Sequence, residues 1–404
     1  MSGKPVNGKR EPRAAGRRLW ASLHRWIGLV MGVVLCAVCI SGVLITWKRE
    51  ILRLTDPALF ASSAPGVQGA PPDAVLAAVR LRDDRPVRAV APPNEVWPVW
   101  VVSVSAQGGF SAPMTNYMVD PADGRILGSD VPRQGFLAFM GQFHHNLLLR
   151  DWWGKEILGA IGVLTLFSAL SGLYLWWPLR KKFWRSVSWR RGTPKARLLL
   201  DIHNSFGFWA MIPLVIFGFT AMTLGYREAT RTVVGVFSPL AAPLPSMMRM
   251  GSGPGQRQAD QPLAAFSSAM AHAAQAFPGY EMTMILPPVM AGDPYRILMN
   301  PDFYRGSSRG RVTLLLAADD GHVIEQRSPA TASAGDLFLA EQVWLHYGLS
   351  FGTLGRVVAS LAGLVPVVLM VSGLWMWARK AALRRQKRRK NVGAAVGSGE
   401  VSRA

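Results

Sequence analysis

The stretch LHRWIGLVMGVVLCAVCISGVLITW, residues 23–47, decides the fold, because an almost unbroken apolar run follows a histidine. About 20 apolar residues are enough for one helix to cross the hydrocarbon core of a bilayer. Apolar runs also follow histidine at Phe143-His144-His145, Ile202-His203-Asn204 and Leu345-His346-Tyr347. An ionisable imidazole at the start of a membrane helix costs free energy unless a partner is waiting for it, so these histidines are candidates for function.

The composition is that of a membrane protein rather than of a soluble domain. Half of the 404 residues are hydrophobic, 15 are Trp, and the net charge is +21. Trp and Tyr mark most ends of the apolar runs, as expected at a membrane interface. The predicted spans are Trp26 to Trp47, Ile157 to Trp177, Phe206 to Tyr226 and Val357 to Trp377.

The distribution of basic residues predicts the orientation. Three segments, the N-terminus to Arg25, Pro178 to Asp201 and the tail from Arg379, hold 24 of the 45 Lys and Arg residues and three acidic residues. The positive-inside rule therefore predicts that both termini and the middle loop are cytoplasmic. The basic cluster 384–390 directly follows a span, where topology and anionic lipid explain it, so no nucleic-acid partner is expected.

The two cysteines do not indicate a disulfide framework. Cys36 and Cys39 lie three residues apart in the first span, where they are read as small buried side chains rather than as ligands of a metal or a soft cofactor edge. Disulfides in the two regions predicted to lie outside are excluded, because those regions contain no Cys.

The chain contains an internal duplication. The second and fourth spans match without a gap at an offset of 201 residues, and the first and third match at an offset of 179. A fixed offset indicates a repeat rather than shared hydrophobicity. The matching positions include His145/His346, Gly154/Gly355, Lys155/Arg356, Ser171-Gly172/Ser372-Gly373, His24/His203 and Gly28/Gly207.

The outer regions also resemble each other. Each contains two apolar runs joined by an Asp-Gly turn, over 117–126 and 315–324, which predicts a β-hairpin. A helix-like stretch precedes each hairpin, at Pro72 to Arg80 and at Pro262 to Phe277. We therefore expect each outer region to be a small α+β unit.

Alternating span direction sorts the histidines into two pairs. His24 and His203 are expected at the cytoplasmic face, and His346 is expected to meet His144 or His145 at the outer face. Two imidazoles from facing helices can fill the axial positions of a b-type haem. Zinc is less expected, because it usually takes three or four ligands that include Cys, Asp or Glu. The alternative is that each histidine is an interfacial or capping residue.

Other residues of these segments fit the same interpretation. Cations near the membrane surface could bind haem propionates. The candidates are Arg25, Lys155, Arg197 and Arg356. The Ser-Gly steps are interpreted as points of close helix packing rather than as cofactor contacts.

The sequence does not decide whether His144 or His145 is the partner of His346. The repeat offset selects His145 as the equivalent of His346, whereas the position relative to Leu147-Leu148-Leu149 favours His144. Successive residues of a helix point about 100° apart, so both cannot bind the same iron equally well.

These motifs resemble the PepSY-associated transmembrane family of bacterial iron-regulated membrane proteins, which includes inner-membrane ferric-siderophore reductases. The resemblance runs from about Arg18 to Lys380. It implies an α-helical membrane protein with four transmembrane helices in two tandem repeats, each carrying a small α+β, PepSY-like periplasmic domain. It also implies haem bound by His24, His203, His346 and one of His144 and His145, and electron delivery to a periplasmic ferric chelate.

The expected organisation follows the chain in nine segments. They are the basic cytoplasmic N-terminus 1–25, the first span 26–47, the first periplasmic PepSY-like domain 48–140, the histidine-led segment and second span 141–177, the basic cytoplasmic loop 178–202, the third span 203–226, the second periplasmic PepSY-like domain 227–341, the histidine-led segment and fourth span 342–378, and the basic cytoplasmic tail 379–404.

The expected function is electron transfer across the bacterial inner membrane through two b-type haems. A cytoplasmic reductant or a membrane quinol is the expected donor, and a ferric siderophore or other ferric chelate is the expected acceptor. The alternatives are a non-enzymatic membrane protein that binds a siderophore, a peptide or a partner, and an accessory component of siderophore or metal uptake. Cationic rather than acidic span ends make a self-sufficient ion pathway unexpected.

Overall fold

The computed structural model divides the chain into two compact units. The span unit comprises Met1–Val43, Trp153–Gly225 and Ala359–Ala404, and the sheet unit comprises Leu44–Trp152 and Tyr226–Val358. The structure describes residues 12–61, 69–94, 97–106, 114–131, 134–149, 152–177, 183–188, 194–242, 264–288, 293–301 and 310–401. Residues 1–11 of the predicted basic N-terminus and much of the predicted loop 178–202 lie outside this range.

The described residues form helices and one sheet. The helices are α1 Pro12–Thr46, α2 Lys48–Thr55, α3 Pro72–Arg82, α4 Gly135–Asn146, α5 Gly154–Trp176, α6 Phe183–Ser186, α7 Lys195–Trp209, α8 Met211–Gly225, α9 Arg227–Phe237, α10 Ala264–Ala276, α11 Ala334–Tyr347 and α12 Gly352–Val401. The strands are β1 Val87–Ala91, β2 Trp100–Val104, β3 Thr115–Val119, β4 Ile126–Asp130, β5 Glu281–Leu286, β6 Tyr295–Asn300, β7 Val312–Leu316 and β8 Val323–Arg327.

Three helical stretches of the described chain are long and apolar enough to cross a membrane. They are Gly16–Thr46, Gly154–Trp176 and Leu349–Arg389. The predicted third span is instead a pair of helices, α7 and α8, bent by 60° at a short break. Pro213 explains the break, because its ring clashes with the carbonyl of residue 209 and it has no N–H to donate there.

The histidines do not open the helices, contrary to the sequence-based expectation. α1 begins at Pro12 and α7 at Lys195, so His24 and His203 lie inside helices. His144 and His145 lie in the last turn of α4, and His346 lies in the last turn of α11. Hydropathy therefore locates the apolar runs but does not reveal the residues at which the helices begin and end.

Left-handed residues lie between His145 and α5 and between His346 and α12. Leu147, Leu148 and Trp153 have positive φ between α4 and α5. Gly348 and Gly352 have positive φ between α11 and α12. A left-handed residue costs about 1–2 kcal/mol unless it is Gly, so the three residues of the first break have an unfavourable backbone conformation.

The two predicted α+β regions share one sheet instead of forming separate units. Its strand order is β4-β3-β2-β1-β5-β6-β7-β8, so each half of the chain contributes four strands. The halves meet where β1 pairs antiparallel with β5, at Val90 and Ile285. Both side chains are fully buried in a core that α3 and α10 also supply, through Val75 and Phe266.

The local predictions in this unit are confirmed. β3 pairs with β4 and β7 with β8 as antiparallel neighbours, and the turns contain Gly124 and Gly321 at φ 76° and 74°. Only a residue that tolerates positive φ suits these turn positions. The predicted helices are present as α3 and α10.

In the span unit, α5 and α8 pack closely through glycine. A Cβ atom added at Gly162 would lie 2.7 Å from the carbonyl oxygen of Gly218. One added at Gly218 would lie 2.9 Å from the carbonyl oxygen of Gly162. Small residues permit such close backbone approach between apolar helices.

Candidate functional site

The span unit contains a cavity of about 730 Å³. His24 of α1 and His203 of α7 both line it. Pockets of about 300–1,000 Å³ hold most small-molecule and cofactor ligands. The structure therefore brings together the two histidines that the sequence pairs at one membrane face.

Each of these imidazoles is held by a serine of another helix. His24 Nδ1 lies 3.0 Å from Ser171 Oγ of α5. His203 Nδ1 lies 2.8 Å from Ser372 Oγ of α12. Both serines are almost fully buried. Nδ1 of each ring is thereby engaged, and Nε2 is the nitrogen left for a ligand role.

Two glycines leave space beside the histidines. Gly28 lies one turn after His24, and Gly207 lies one turn after His203; both line the cavity. A Cβ atom added at Gly28 would meet no atom within 4 Å, and one added at Gly207 would meet Leu369 only at 3.8 Å. The glycines keep open a volume that a flat ring system could fill.

Basic side chains complete the lining. Arg25 Nε is buried and has no hydrogen-bond partner among the described residues. Arg197 pairs with Asp201 at 3.0 Å, while Lys380 and Arg384 of α12 also line the cavity. From the sequence, Lys380 and Arg384 were interpreted only as indicators of topology. Their spacing of one helical turn at the end of a span could have indicated that both lie on one side of the helix.

The sheet unit holds the other three candidate ligand histidines, His144, His145 and His346. The ring centroids of His144 and His346 lie 6.1 Å apart, with the planes tilted by 48°. His145 meets His144 edge-on at 5.7 Å. His144 and His346 are partly buried, whereas His145 is exposed. The geometry therefore favours His144 as the partner of His346, against the residue that the repeat offset selects.

His346 is neutral at physiological pH. Burial, followed by the neighbouring imidazoles of His144 and His145, lowers the pKa of His346 to about 3. An unprotonated imidazole is the form that binds metals. The ring is thus in a ligand-competent state without needing to lose a proton.

The predicted propionate cations Arg356 and Lys155 have different surroundings. Arg356 is buried, donates to Glu50 Oε1 at 2.8 Å and to the Thr46 carbonyl at 2.6 Å, and stacks on Trp47 at 4.3 Å. Lys155 is exposed. Neither residue lines the described cavity. Arg356 is thus already engaged by Glu50, and its propionate role stays a prediction.

The two predicted packing cysteines are free thiols, and neither lines the cavity. A further group of metal-ligand side chains, Asp319, Asp320 and His322, lies at the turn between β7 and β8. All three are exposed, and His322 Nδ1 lies 2.6 Å from Asp320 Oδ1. Such exposed groups are common without a metal, so no site is assigned there.

Comparison with known proteins gives one family and one relative. The family model described as the PepSY-associated TM region matches residues 21–380. The uncharacterized protein PA4219 of Pseudomonas aeruginosa is 25% identical over 254 residues, which cover 59% of this chain and 62% of that protein. The matched part thus spans less than two thirds of the relative's length.

Proposed function

The chain belongs to the PepSY-associated TM family, and on that basis, together with its histidine sites, we propose that it is a haem-containing oxidoreductase of the bacterial inner membrane. It transfers electrons across the membrane to a periplasmic ferric chelate, with a ferric siderophore as the substrate class. Reduction releases the iron, because Fe(II) binds hard oxygen ligands less tightly than Fe(III) does.

The observation that carries the proposal is the cavity that His24 and His203 share. The donor set fits a b-type haem: two imidazoles on different helices, with Nε2 available on each. The open space beside Gly28 and Gly207 fits a flat macrocycle. The buried Arg25 Nε is an unsatisfied donor that a carboxylate would satisfy.

The outer site fits the same chemistry through His144 and His346. These two imidazoles, with ring centroids 6.1 Å apart, would hold the haem there. When bound, haem b would supply a reversible one-electron couple at each site.

The protein's own residues have three tasks in this scheme. The four ligand histidines bind and orient, the serines at His24 and His203 fix the ring direction, and the apolar helices exclude water. The net reaction oxidises a cytoplasmic reductant or a membrane quinol and reduces Fe(III) to Fe(II), one electron for each iron. No acid–base catalyst is required for that electron balance.

The proposal includes four spans in two tandem repeats. The bent pair α7 and α8 counts as the third span. Support comes from the Ser-Gly steps, because each contacts the histidine of its own half of the chain: Ser171 with His24, and Ser372 with His203. Both termini are proposed to be cytoplasmic, on the positive-inside rule.

Rapid mixing of the dithionite-reduced, full-length protein with a ferric trihydroxamate siderophore tests the function. We expect the reduced haem α-band to disappear while a ferrous-iron chelator in the buffer traps Fe(II). The gallium(III) complex of the same siderophore is the matched control, because it has the same shape and is not reduced under these conditions. If neither the ferric trihydroxamate nor any other ferric chelate of a panel oxidises the reduced protein, that result would contradict the assignment of the substrate.

A further inference from the structure

The two Ser-Gly steps of the span unit have the same arrangement around a histidine. Ser171 Oγ lies 3.0 Å from His24 Nδ1, and a Cβ added at Gly172 would lie 3.1 Å from Cε1 of the same ring. Ser372 Oγ lies 2.8 Å from His203 Nδ1, and a Cβ added at Gly373 would lie 3.6 Å from that ring's Cε1. In each copy, serine contacts one ring atom and glycine makes room for the next.

Each serine hydroxyl has a backbone carbonyl of its own helix within hydrogen-bond distance. Ser372 Oγ donates to the carbonyl of Val368 at 2.7 Å, one helical turn earlier. Ser171 Oγ donates to the carbonyl of Ser168 at 3.2 Å. A hydroxyl has a single proton, so an oxygen that donates to a carbonyl can only accept from the imidazole. In that arrangement the hydrogen on each histidine is on Nδ1.

We propose that Ser171 and Ser372 are positioning residues that hold His24 and His203 in the Nδ1–H tautomer and so leave both Nε2 lone pairs available for haem iron. The role in haem binding rests on the proposed function, whereas the tautomer does not. Partners of this kind fix the orientation of a ligand imidazole and raise its basicity.

Helix packing alone does not account for this arrangement. Thr165, on the same helix as Ser171, also donates its hydroxyl to a carbonyl of the preceding turn, that of Ile161 at 2.8 Å. Such a bond therefore satisfies the Thr165 hydroxyl in this helix without involving a histidine. The position of the oxygen at Nδ1, repeated 201 residues apart, needs a reason that involves the ring.

The direct test is nitrogen-15 NMR of histidine-labelled, full-length protein in lipid before haem is added. His24→Ala and His203→Ala variants assign the two signals. We expect Nδ1–H tautomers for both rings, and a mixture with the Nε2–H form at His24 in Ser171→Ala and at His203 in Ser372→Ala. Thr165→Val should change neither signal. Nε2–H tautomers in the unmodified protein would overturn the inference, whatever its haem content.

Transfer of haem to apomyoglobin gives a second readout on the loaded protein. Each serine-to-alanine variant should release the haem of the span unit roughly 10–100 times faster, and its reduction midpoint should rise because a less basic ligand favours the ferrous form. Ser171→Cys and Ser372→Cys nearly preserve the volume but accept hydrogen bonds poorly, so they should behave like alanine.

The outcomes separate packing from tautomer control. Cysteine variants that release haem as slowly as the unmodified protein would show that volume matters, and would overturn the positioning role. Alanine variants that release haem no faster than the unmodified protein would also overturn it. An unmodified protein that takes up no haem, yet has both Nδ1–H tautomers, would contradict the proposed function and support the serine contacts.

Discussion

The two histidine sites hold their rings in different ways. In the span unit, His24 and His203 face a shared cavity while serines of other helices bind their Nδ1 atoms. In the sheet unit, His144 and His346 lie ring to ring at the ends of two helices, where left-handed residues stop each helix. In the first site, serines that are not themselves candidate ligands orient the histidine rings. In the second site, the positions of the histidines depend on the left-handed residues that end their helices.

The largest expected effect separates the two sites. His203→Ala should remove the haem of the span unit and leave the other, so the haem content should fall from about two to about one per chain. His346→Ala should do the reverse. Pyridine haemochrome assay and redox titration of each variant identify which haem remains. Loss of both haems from either substitution would show that the sites are not independent.

The outer site discriminates between neighbouring histidines. His144→Ala should abolish outer haem binding, because this ring faces His346, whereas the exposed His145 should tolerate alanine with little loss. Haem content and the Soret spectrum of the two variants measure the difference. If His145→Ala loses the haem and His144→Ala keeps it, the repeat offset, and not the ring geometry, identifies the ligand.

The ion pair between the buried Arg356 and the partly exposed Glu50 should affect stability rather than the cavity. Glu50→Gln leaves Arg356 buried without a carboxylate, so we expect a loss of roughly 2 kcal/mol in unfolding free energy. Lys155→Met is the control at the equivalent repeat position, where the exposed side chain should contribute less than about 0.5 kcal/mol. Thermal unfolding at pH 7, with haem content as a second readout, tests both.

The same pair predicts a dependence on pH. Burial raises the pKa of Glu50, but hydrogen bonding and charge from Arg356 outweigh it, so the pKa lies below the ordinary 4.5. A lowered folded-state pKa adds stability above 4.5 that is lost as the pH falls through the folded value. The difference in melting temperature between the unmodified protein and Glu50→Gln should therefore shrink on acidification. A constant difference from pH 7 to pH 3 would exclude a charged pair.

The smallest effect compares the two glycines beside the inner histidines. Gly172→Ala should perturb the His24 ring more than Gly373→Ala perturbs His203, because the added Cβ would lie at 3.1 Å in one case and 3.6 Å in the other. We expect a haem release rate raised about five-fold against less than about two-fold, as for mild overpacking. Equal haem release rates in Gly172→Ala and Gly373→Ala would mean that both histidine rings move to accommodate the added Cβ atom.

Local patterns predicted much of this molecule. The Asp-Gly hairpins, the helices α3 and α10, and three of the apolar spans follow from periodicity and turn chemistry, which act over a few residues. The bend in the third predicted span was also readable, because Pro213 marks it. The Ser-Gly steps, interpreted as packing points, lie beside the histidines.

Long-range partners could not be predicted in the same way. The pairing of Val90 with Ile285 joins two halves that each looked like a complete unit, and nothing local selects that edge. The pairing of Arg356 with Glu50 spans 306 residues and engages a cation that was a candidate for binding a haem propionate. Leu147 and Trp153 have left-handed backbone conformations but are not glycine, so the sequence does not indicate the break before α5.

The most direct test of the two-site arrangement is the amount and type of haem in the full-length protein purified from haem-replete membranes. A pyridine haemochrome assay against protein concentration should give about two b-type haems per chain, with a dithionite-induced α-band. Purified, folded protein with no Soret band and no α-band would contradict the central claim, and the histidines would then have packing roles.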